Sequence, residues 1–298
     1  MAYHIPVLLK ESIEGLQIKP NGVYVDLTFG GGGHSKVILQ QLKNGKLFGF
    51  DMDADAKANA IDDSRFTFIH QNFRFFSNYI RYYNCSEIDG IFADLGVSSH
   101  HFNSEKRGFS FRFNGKLDMR MNINSQFTAA DIINSYSEED LVYIFKTYGE
   151  LHNAKKIAKL LCNNRSNCKI ETISQLLNVL SGVVPPKNDH KFLAKVFQAL
   201  RIEVNNEMKS LRQMLLQVPG ALKKGGRFVV ITYHSLEDRE VKIFLKHETF
   251  NKTKELDIYG DHQKQLKIIN KKVIIPNEEE IRNNNRARSA KLRIAEKI

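Results

Sequence analysis

Val23-Tyr24-Val25-Asp26-Leu27-Thr28-Phe29-Gly30-Gly31-Gly32-Gly33-His34-Ser35 is the stretch that decides the fold. The β-branched and aromatic run before Asp26 suits a strand buried on both faces, and Val37, Ile38 and Leu42 return at helical spacing after Ser35. Four glycines lie between the two patterns. Lacking a Cβ, they permit positive φ and let a ligand touch the main chain. The new helix adds N–H groups without intrahelical partners and a partial positive charge. A small ligand is expected at this strand-loop-helix junction.

A second strand, Lys46-Leu47-Phe48-Gly49-Phe50, ends in Asp51, 21 residues beyond Gly30. A β-α-β unit places a ribose-binding carboxylate there. A dinucleotide fold stays open, but a G-x-G-x-x-G counted from Gly30 requires a glycine where this chain has Ser35. Asp26 tilts the choice: an acid ending strand one, a glycine loop and an acid ending strand two look like a class I methyltransferase site for S-adenosylmethionine.

Working outward, Phe66-Thr67-Phe68-Ile69 and Ile88-Asp89-Gly90-Ile91-Phe92-Ala93-Asp94-Leu95 bring the strands to four by residue 95, an α/β sheet of parallel type. From about Glu105 to Asn206 the strand signal vanishes, and patterns such as Ser137-Glu138-Glu139-Asp140-Leu141 and Ile157-Ala158-Lys159-Leu160-Leu161 predict an inserted helical domain. Strand character resumes at Arg227-Phe228-Val229-Val230-Ile231-Thr232. Before it, Leu193, Val196, Phe197, Leu200, Val204, Met208, Leu211, Leu215 and Val218 recur at three- and four-residue steps, predicting one long helix that returns the chain to the sheet.

At 298 residues and 42% apolar content the chain can bury one large core or two moderate ones. No apolar run approaches the roughly 20 residues of a membrane span. The first residues lack the charge and apolar block of a signal peptide, so a cytoplasmic protein is expected. Cys85, Cys162 and Cys168 are odd in number and lack C-x-x-C spacing, which supports neither a disulfide framework nor a zinc knuckle. They read as reduced thiols, and no metal is expected. Net charge is +11, and from Lys242 onward 14 Lys and Arg face 8 Asp and Glu, so the natural partner is a polyanion.

Longer motifs then fall in order: His4-Ile5-Pro6-Val7-Leu8-Leu9-Lys10-Glu11, the Gly-Gly-His-Ser end of the loop, Asp94-Leu95-Gly96-Val97-Ser98-Ser99, Arg107-Gly108-Phe109-Ser110-Phe111, Leu117-Asp118-Met119-Arg120-Met121, Phe197-Gln198-Ala199-Leu200-Arg201-Ile202, His234-Ser235-Leu236-Glu237-Asp238-Arg239 and Arg286-Ala287-Arg288-Ser289-Ala290-Lys291-Leu292-Arg293. From residue 4 to about 293 the chain resembles the family of ribosomal RNA small subunit methyltransferase H. The resemblance implies a class I, Rossmann-like, S-adenosylmethionine-dependent methyltransferase sheet with an inserted all-helical domain. It divides the chain into residues 1–105, a helical substrate-recognition insert at 106–206, and 207–298 with a basic C-terminal tail. The reaction implied is methyl transfer to N4 of a cytidine in the decoding (P-site) region of 16S rRNA, with the small ribosomal subunit as partner. DNA and membranes are not expected as partners, and a homodimer is left open.

Carried over residue by residue, the resemblance puts cofactor contacts on Gly32, Gly33, His34, Asp51, Phe73 and Asp94. The loop amides would hold the methionine carboxylate, Asp51 the ribose hydroxyls and Phe73 the adenine, although Phe73 is equally at home as core. His101 stands where the family has glutamine, and an imidazole cannot offer an amide's donor and acceptor together. Lys191-Phe192-Leu193-Ala194-Lys195 replaces the family's His-Pro-Ala-Thr-Arg, exchanging a bidentate fork for a point charge. Asp94, beside the acceptor nitrogen, and His234, lining the same cleft, are the candidate catalytic residues; His234 also fits a plain helix cap. Arg107, Phe109, Phe111, Arg112 and Phe113, with Arg286, Arg288, Lys291 and Arg293, suggest an RNA rim. The rival readings are a non-catalytic RNA-binding or ribosome-assembly protein and a nicotinamide-dependent oxidoreductase.

Overall fold

The computed structural model describes residues 6–85, 87–97, 102, 104–185, 187, 189–250 and 264–298. His101 and the Ser98-Ser99 pair before it lie outside the described residues, as do His4 and Ile5. The chain divides into two compact units, residues 1–96 with 208–298, and residues 97–207.

The first unit is built on a seven-stranded sheet: β1 (Val23–Asp26), β2 (Lys46–Asp51), β3 (Phe66–His70), β4 (Ile88–Asp94), β5 (Leu222–Thr232), β6 (Leu266–Ile268) and β7 (Lys291–Lys297), in the order β3-β2-β1-β4-β5-β7-β6. Strands β1 to β5 pair in parallel, whereas β7 runs antiparallel to both β5 and β6. β4 is buried along almost its whole length, and β5 from Gly226 onward, which is why they read as unbroken apolar runs rather than alternating ones. Strand order reverses between β1 and β4. This is the switch point at which an open α/β sheet parts its loops and leaves a crevice at the strands' carboxyl ends.

Helices α1 (Leu9–Leu16) and α2 (Gly33–Gln41) cover the sheet with a shared apolar face. Leu8, Leu16, Ile38 and Leu39 join Leu47, Phe92, Val229, Ile231, Leu292 and Ile294 in one buried cluster. Helix α3 (Phe76–Tyr82) follows β3.

The second unit is helical: α4 (Ala129–Ser135), α5 (Glu138–Thr147), α6 (Ala154–Arg165), α7 (Ile173–Leu180) and α8 (Asp189–Asn205). Its helix starts are written locally. Thr128 with Asp131 and Thr172 with Gln175 form capping boxes, and Ser137 accepts the N–H of Asp140. Leu141, Ile144 and Phe145 on α5, Ile157 and Leu161 on α6, and Val196 and Leu200 on α8 are buried at helical spacing.

Two expectations are corrected. The single long helix is two, α8 and α9 (Glu207–Ala221), because Asn206 stands at φ 50° between them. Asn is one of the few residues that tolerates this left-handed conformation. The preceding Asn205 is buried, with its amide donating to the carbonyls of Met119 and Arg201 and accepting the N–H of Met121. The segment read as a basic tail ends as β7, inside the sheet. After β5 come α10 (Ser235–His247) and, ahead of β7, α11 (Glu278–Asn283), whose Glu280 Oε1 accepts the N–H of Leu8 at 2.7 Å.

Candidate active site

Asp26, Asp51 and Asp94 are the last residues of β1, β2 and β4, three parallel neighbours, so their carboxylates share the carboxyl edge of the sheet at the switch point. Asp26 is buried and does not face solvent. Its Oδ2 accepts the hydroxyl of Ser35 at 2.7 Å and its Oδ1 the N–H of Thr28 at 3.0 Å, so it clamps both ends of the glycine loop. Burial pushes its carboxyl up to about 6, against the pull of those two hydrogen bonds. Asp51 Oδ2 accepts the N–H of Gly30 and Oδ1 that of Asp53, both at 2.8 Å. A carboxylate has room for about four such contacts, so two amides do not exhaust it.

Gly32 is the N-cap of α2 at φ 72°, and no side chain caps the helix. A Cβ at Gly33 would lie 2.4 Å from Pro6 Cγ, and one at Gly32 would lie 2.9 Å from Phe29 Cζ; at Gly31 no described residue stands within 4 Å. The loop therefore needs glycine at 32 and 33 for its own packing, and at 31 it opens onto space that no described residue fills. The first-turn amides of α2, with their share of the helix dipole, follow in the chain two residues later.

His34 is buried, and its Nε2 lies 3.0 Å from the carbonyl oxygen of Val7. A carbonyl only accepts, so Nε2 carries the proton in this contact. The ring packs on Phe92 at 4.4 Å between centroids, and Nδ1 faces Asp94 Oδ2 at 3.9 Å.

Among the described residues, Asp94 is held by two hydrogen bonds and faced by an imidazole. Its N–H donates to Thr28 Oγ1 at 2.6 Å, its Oδ1 accepts the hydroxyl of Tyr233 at 2.7 Å, and its Oδ2 faces His34. The side chain keeps 21% of its surface exposed, enough to be reached by a ligand. Desolvation raises its carboxyl to about 7, with the charges of Asp26 and Glu237 adding to the rise and the Tyr233 hydrogen bond opposing it.

His234 is the N-cap of α10. Its Nδ1 accepts the N–H of Glu237 at 3.3 Å, and its Nε2 lies 3.1 Å from Glu237 Oε1. Both ring nitrogens are thus turned to one carboxylate residue of the capping box. Asp94 is met instead by Tyr233, which the sequence reading passed over. A signal for it existed: Tyr233 directly follows β5, the strand beside β4, and so ends at the same sheet edge as Asp94.

Phe73 opens a short 3-10 turn (Phe73–Phe75) after β3, capped by Asn72, and is half-buried rather than core. The supposed RNA rim sorts into two kinds of residue. Arg107 is buried, with Nη2 donating to the carbonyls of Arg120 and Met121, and Phe109 is core. Phe111 packs edge-on to Phe197. Arg112 and Phe113 are exposed. In the sheet unit, Lys291 and Arg293 both pair with Asp238, at 3.3 and 2.9 Å, whereas Arg286 and Arg288 are exposed. Among the described residues no helix is long and apolar enough to cross a membrane.

Five parallel strands, an antiparallel seventh inserted beside the fifth, and a glycine-capped helix at the switch point define the class: a Rossmann-like class I methyltransferase. The chain belongs to the MraW methylase family, whose model matches residues 1–298. It is 55% identical over 298 residues to ribosomal RNA small subunit methyltransferase H of Parabacteroides distasonis, covering 99% of this chain and 98% of that one. To the protein of the same name from Bacteroides fragilis it is 54% identical over 296 residues, 99% of this chain and 97% of the other. A solved rRNA methylase from Streptococcus thermophilus is 12% identical, with a TM-score of 0.41 over 99% of each chain.

Proposed function

We propose that the protein methylates N4 of a cytidine in the decoding region of 16S rRNA, with S-adenosylmethionine as donor. Two lines support this reading: the name carried by relatives that match end to end, and the partly exposed Asp94 carboxylate beside an uncapped glycine helix start. The second is the observation on which the chemistry rests.

The residues present fit the donor. The open space at Gly31 and the first-turn amides of α2 suit its carboxylate, Asp51 suits a ribose diol, and half-buried Phe73 offers a ring face for adenine. Bound there, S-adenosylmethionine would supply a methyl group activated by its sulfonium, with the C–S electron pair staying on sulfur. The chain has two further tasks. It must hold the acceptor nitrogen in line, worth on the order of 7–11 kcal/mol, and it must stabilise positive charge as that nitrogen gains its bond to carbon. Asp94 meets the second by accepting an N–H of the amine, then its proton. His234 contributes by capping α10 and fixing Glu237, whose Oε2 accepts the N–H of Tyr233.

The target base must leave its stack to be methylated, and this costs a few kcal/mol. Exposed Arg112 and Phe113 in the helical unit have the phosphate-binding and stacking chemistry that offsets such a cost. The test is mass spectrometry of small-subunit rRNA from cells with and without the protein. One cytosine methyl is lost with it, and nucleoside chromatography assigns that methyl to N4. An unchanged methylation pattern would end the proposal.

A further inference from the structure

We propose that Tyr233 is a positioning residue for the transfer: its hydroxyl fixes Oδ1 of Asp94, keeps the carboxylate in its proton-accepting form, and leaves Oδ2 for the acceptor amine. The inference deepens the proposed function and rests on its assignment of Asp94.

Tyr233 is built in from both sides. Its N–H donates to Glu237 Oε2 at 2.9 Å, which ties it to the first turn of α10. Its ring lies so close to Gly96 that a Cβ there would stand 3.0 Å from Tyr233 Cδ2, and Gly96 itself holds φ 118°. The hydroxyl is therefore delivered to Asp94 by packing and by backbone, not by a mobile side chain. Its partner is equally constrained, with the Asp94 N–H on Thr28 Oγ1 at 2.6 Å.

Asp94 stands among groups that pull its charge both ways. Asp26 on β1 and Glu237 on α10 disfavour the anion, as does removal from water; the tyrosine hydroxyl favours it. His34 on α2 faces Oδ2 at 3.9 Å, too long for a direct hydrogen bond, with its Nε2 engaged by the carbonyl of Val7. Among the described residues, the 2.7 Å contact from Tyr233 is thus the direct side-chain hydrogen bond holding the carboxylate. Tyr233 remains a donor throughout the neutral range, because burial and then the Asp94 charge hold its phenol well above ordinary values, with Glu237 and Glu280 adding to the effect. A carboxylate poised near neutrality is sensitive to the loss of one charge-assisted bond.

Tyr233→Phe keeps the ring and deletes the donor. The experiment measures kcat across the neutral to alkaline range, with donor affinity by calorimetry, for the wild type, Tyr233→Phe and Asp94→Asn. The acid limb of the Tyr233→Phe profile is expected to move up by about one to two pH units, with the rate recovering at high pH and donor affinity unchanged. A profile that superimposes on the wild type, with Asp94→Asn inactive, overturns the role of Tyr233 and leaves Asp94 in place. A uniform loss at every pH with weakened donor binding also overturns it, marking the tyrosine as packing alone. Full activity in Asp94→Asn removes the assignment of Asp94 and this inference with it.

Discussion

Ser35 Oγ donates a 2.7 Å hydrogen bond to Asp26 Oδ2, so the first turn of α2 is tied to the last residue of β1 across the whole glycine loop. The loop's shape is therefore set by a buried acid and a hydroxyl that no ligand need touch. Glycine supplies the permitted backbone, and the clamp selects one conformation of it.

Asp26 makes the stability of the protein depend on pH in a definite direction. Its folded-state value, about 6, lies above the 3.8 of an unperturbed Asp, so the folded form holds the proton more tightly. The stability this adds is full below the unfolded value and is lost as pH rises through the folded one, a change on the order of 3 kcal/mol. Asp26→Asn does not titrate. In urea unfolding the gap between wild type and Asp26→Asn should shrink by that order between acid and neutral pH. A gap independent of pH would mean that Asp26 titrates alike in both states.

Substitution within the glycine run should separate packing from open space. An alanine at Gly33 would put a methyl 2.4 Å from the Pro6 ring, a rigid neighbour, so the N-terminal segment must move away from α2. Gly31→Ala meets no described residue within 4 Å and should leave unfolding free energy within about 0.5 kcal/mol of wild type. Gly33→Ala should cost about 1–3 kcal/mol, the usual range for overpacking, and should weaken S-adenosylmethionine binding in the same calorimetric titration. Equal melting of the two variants would show that Pro6 does not rest on Gly33 in solution.

The legibility of the fold follows burial. Strands β1, β2 and β4 are compact runs of Val, Ile, Phe and Tyr that end on an acid, so both their existence and their carboxyl ends stand out in the chain. β7 hides, because Lys291, Arg293 and Glu296 alternate with buried Leu292, Ile294 and Ala295, and the charges suggest a solvated tail. The strand is a half-buried one at an antiparallel position, with two of its cations taken up by Asp238. The acids and glycines of the site are visible for the same reason as the strands. The Tyr233–Asp94 bond is not, because it joins residues 139 apart and no local spacing reports such a contact.

Arg107 and Arg112 lie five residues apart and should behave oppositely. Arg107 is buried and donates to two carbonyls, so Arg107→Ala leaves acceptors unmade and should destabilise the helical unit by about 1–3 kcal/mol. Arg112 is exposed, and its loss should leave unfolding unchanged while lowering the salt dependence of rRNA binding. In a plot of log affinity against log salt, one phosphate contact removed changes the slope by about 0.7–0.9. An unchanged slope in Arg112→Ala would remove it from the RNA surface.

The junction between α8 and α9 depends on Asn206, whose φ of 50° is a conformation L-residues other than Asn and Asp rarely accept. Apolar residues continue in helical register through this point, so a residue content with right-handed geometry would favour fusing the two helices. Fusion would pull buried Asn205 from the carbonyls of Met119 and Arg201 and from the N–H of Met121. Asn206→Ala is therefore expected to cost about 1–2 kcal/mol in urea unfolding, from strain at a positive φ alone. Asn206→Gly removes that strain and should stay within about 1 kcal/mol of wild type, set by the extra freedom of glycine in the unfolded chain. Alanine as stable as glycine would mean that the break is imposed by the surrounding packing rather than by residue 206.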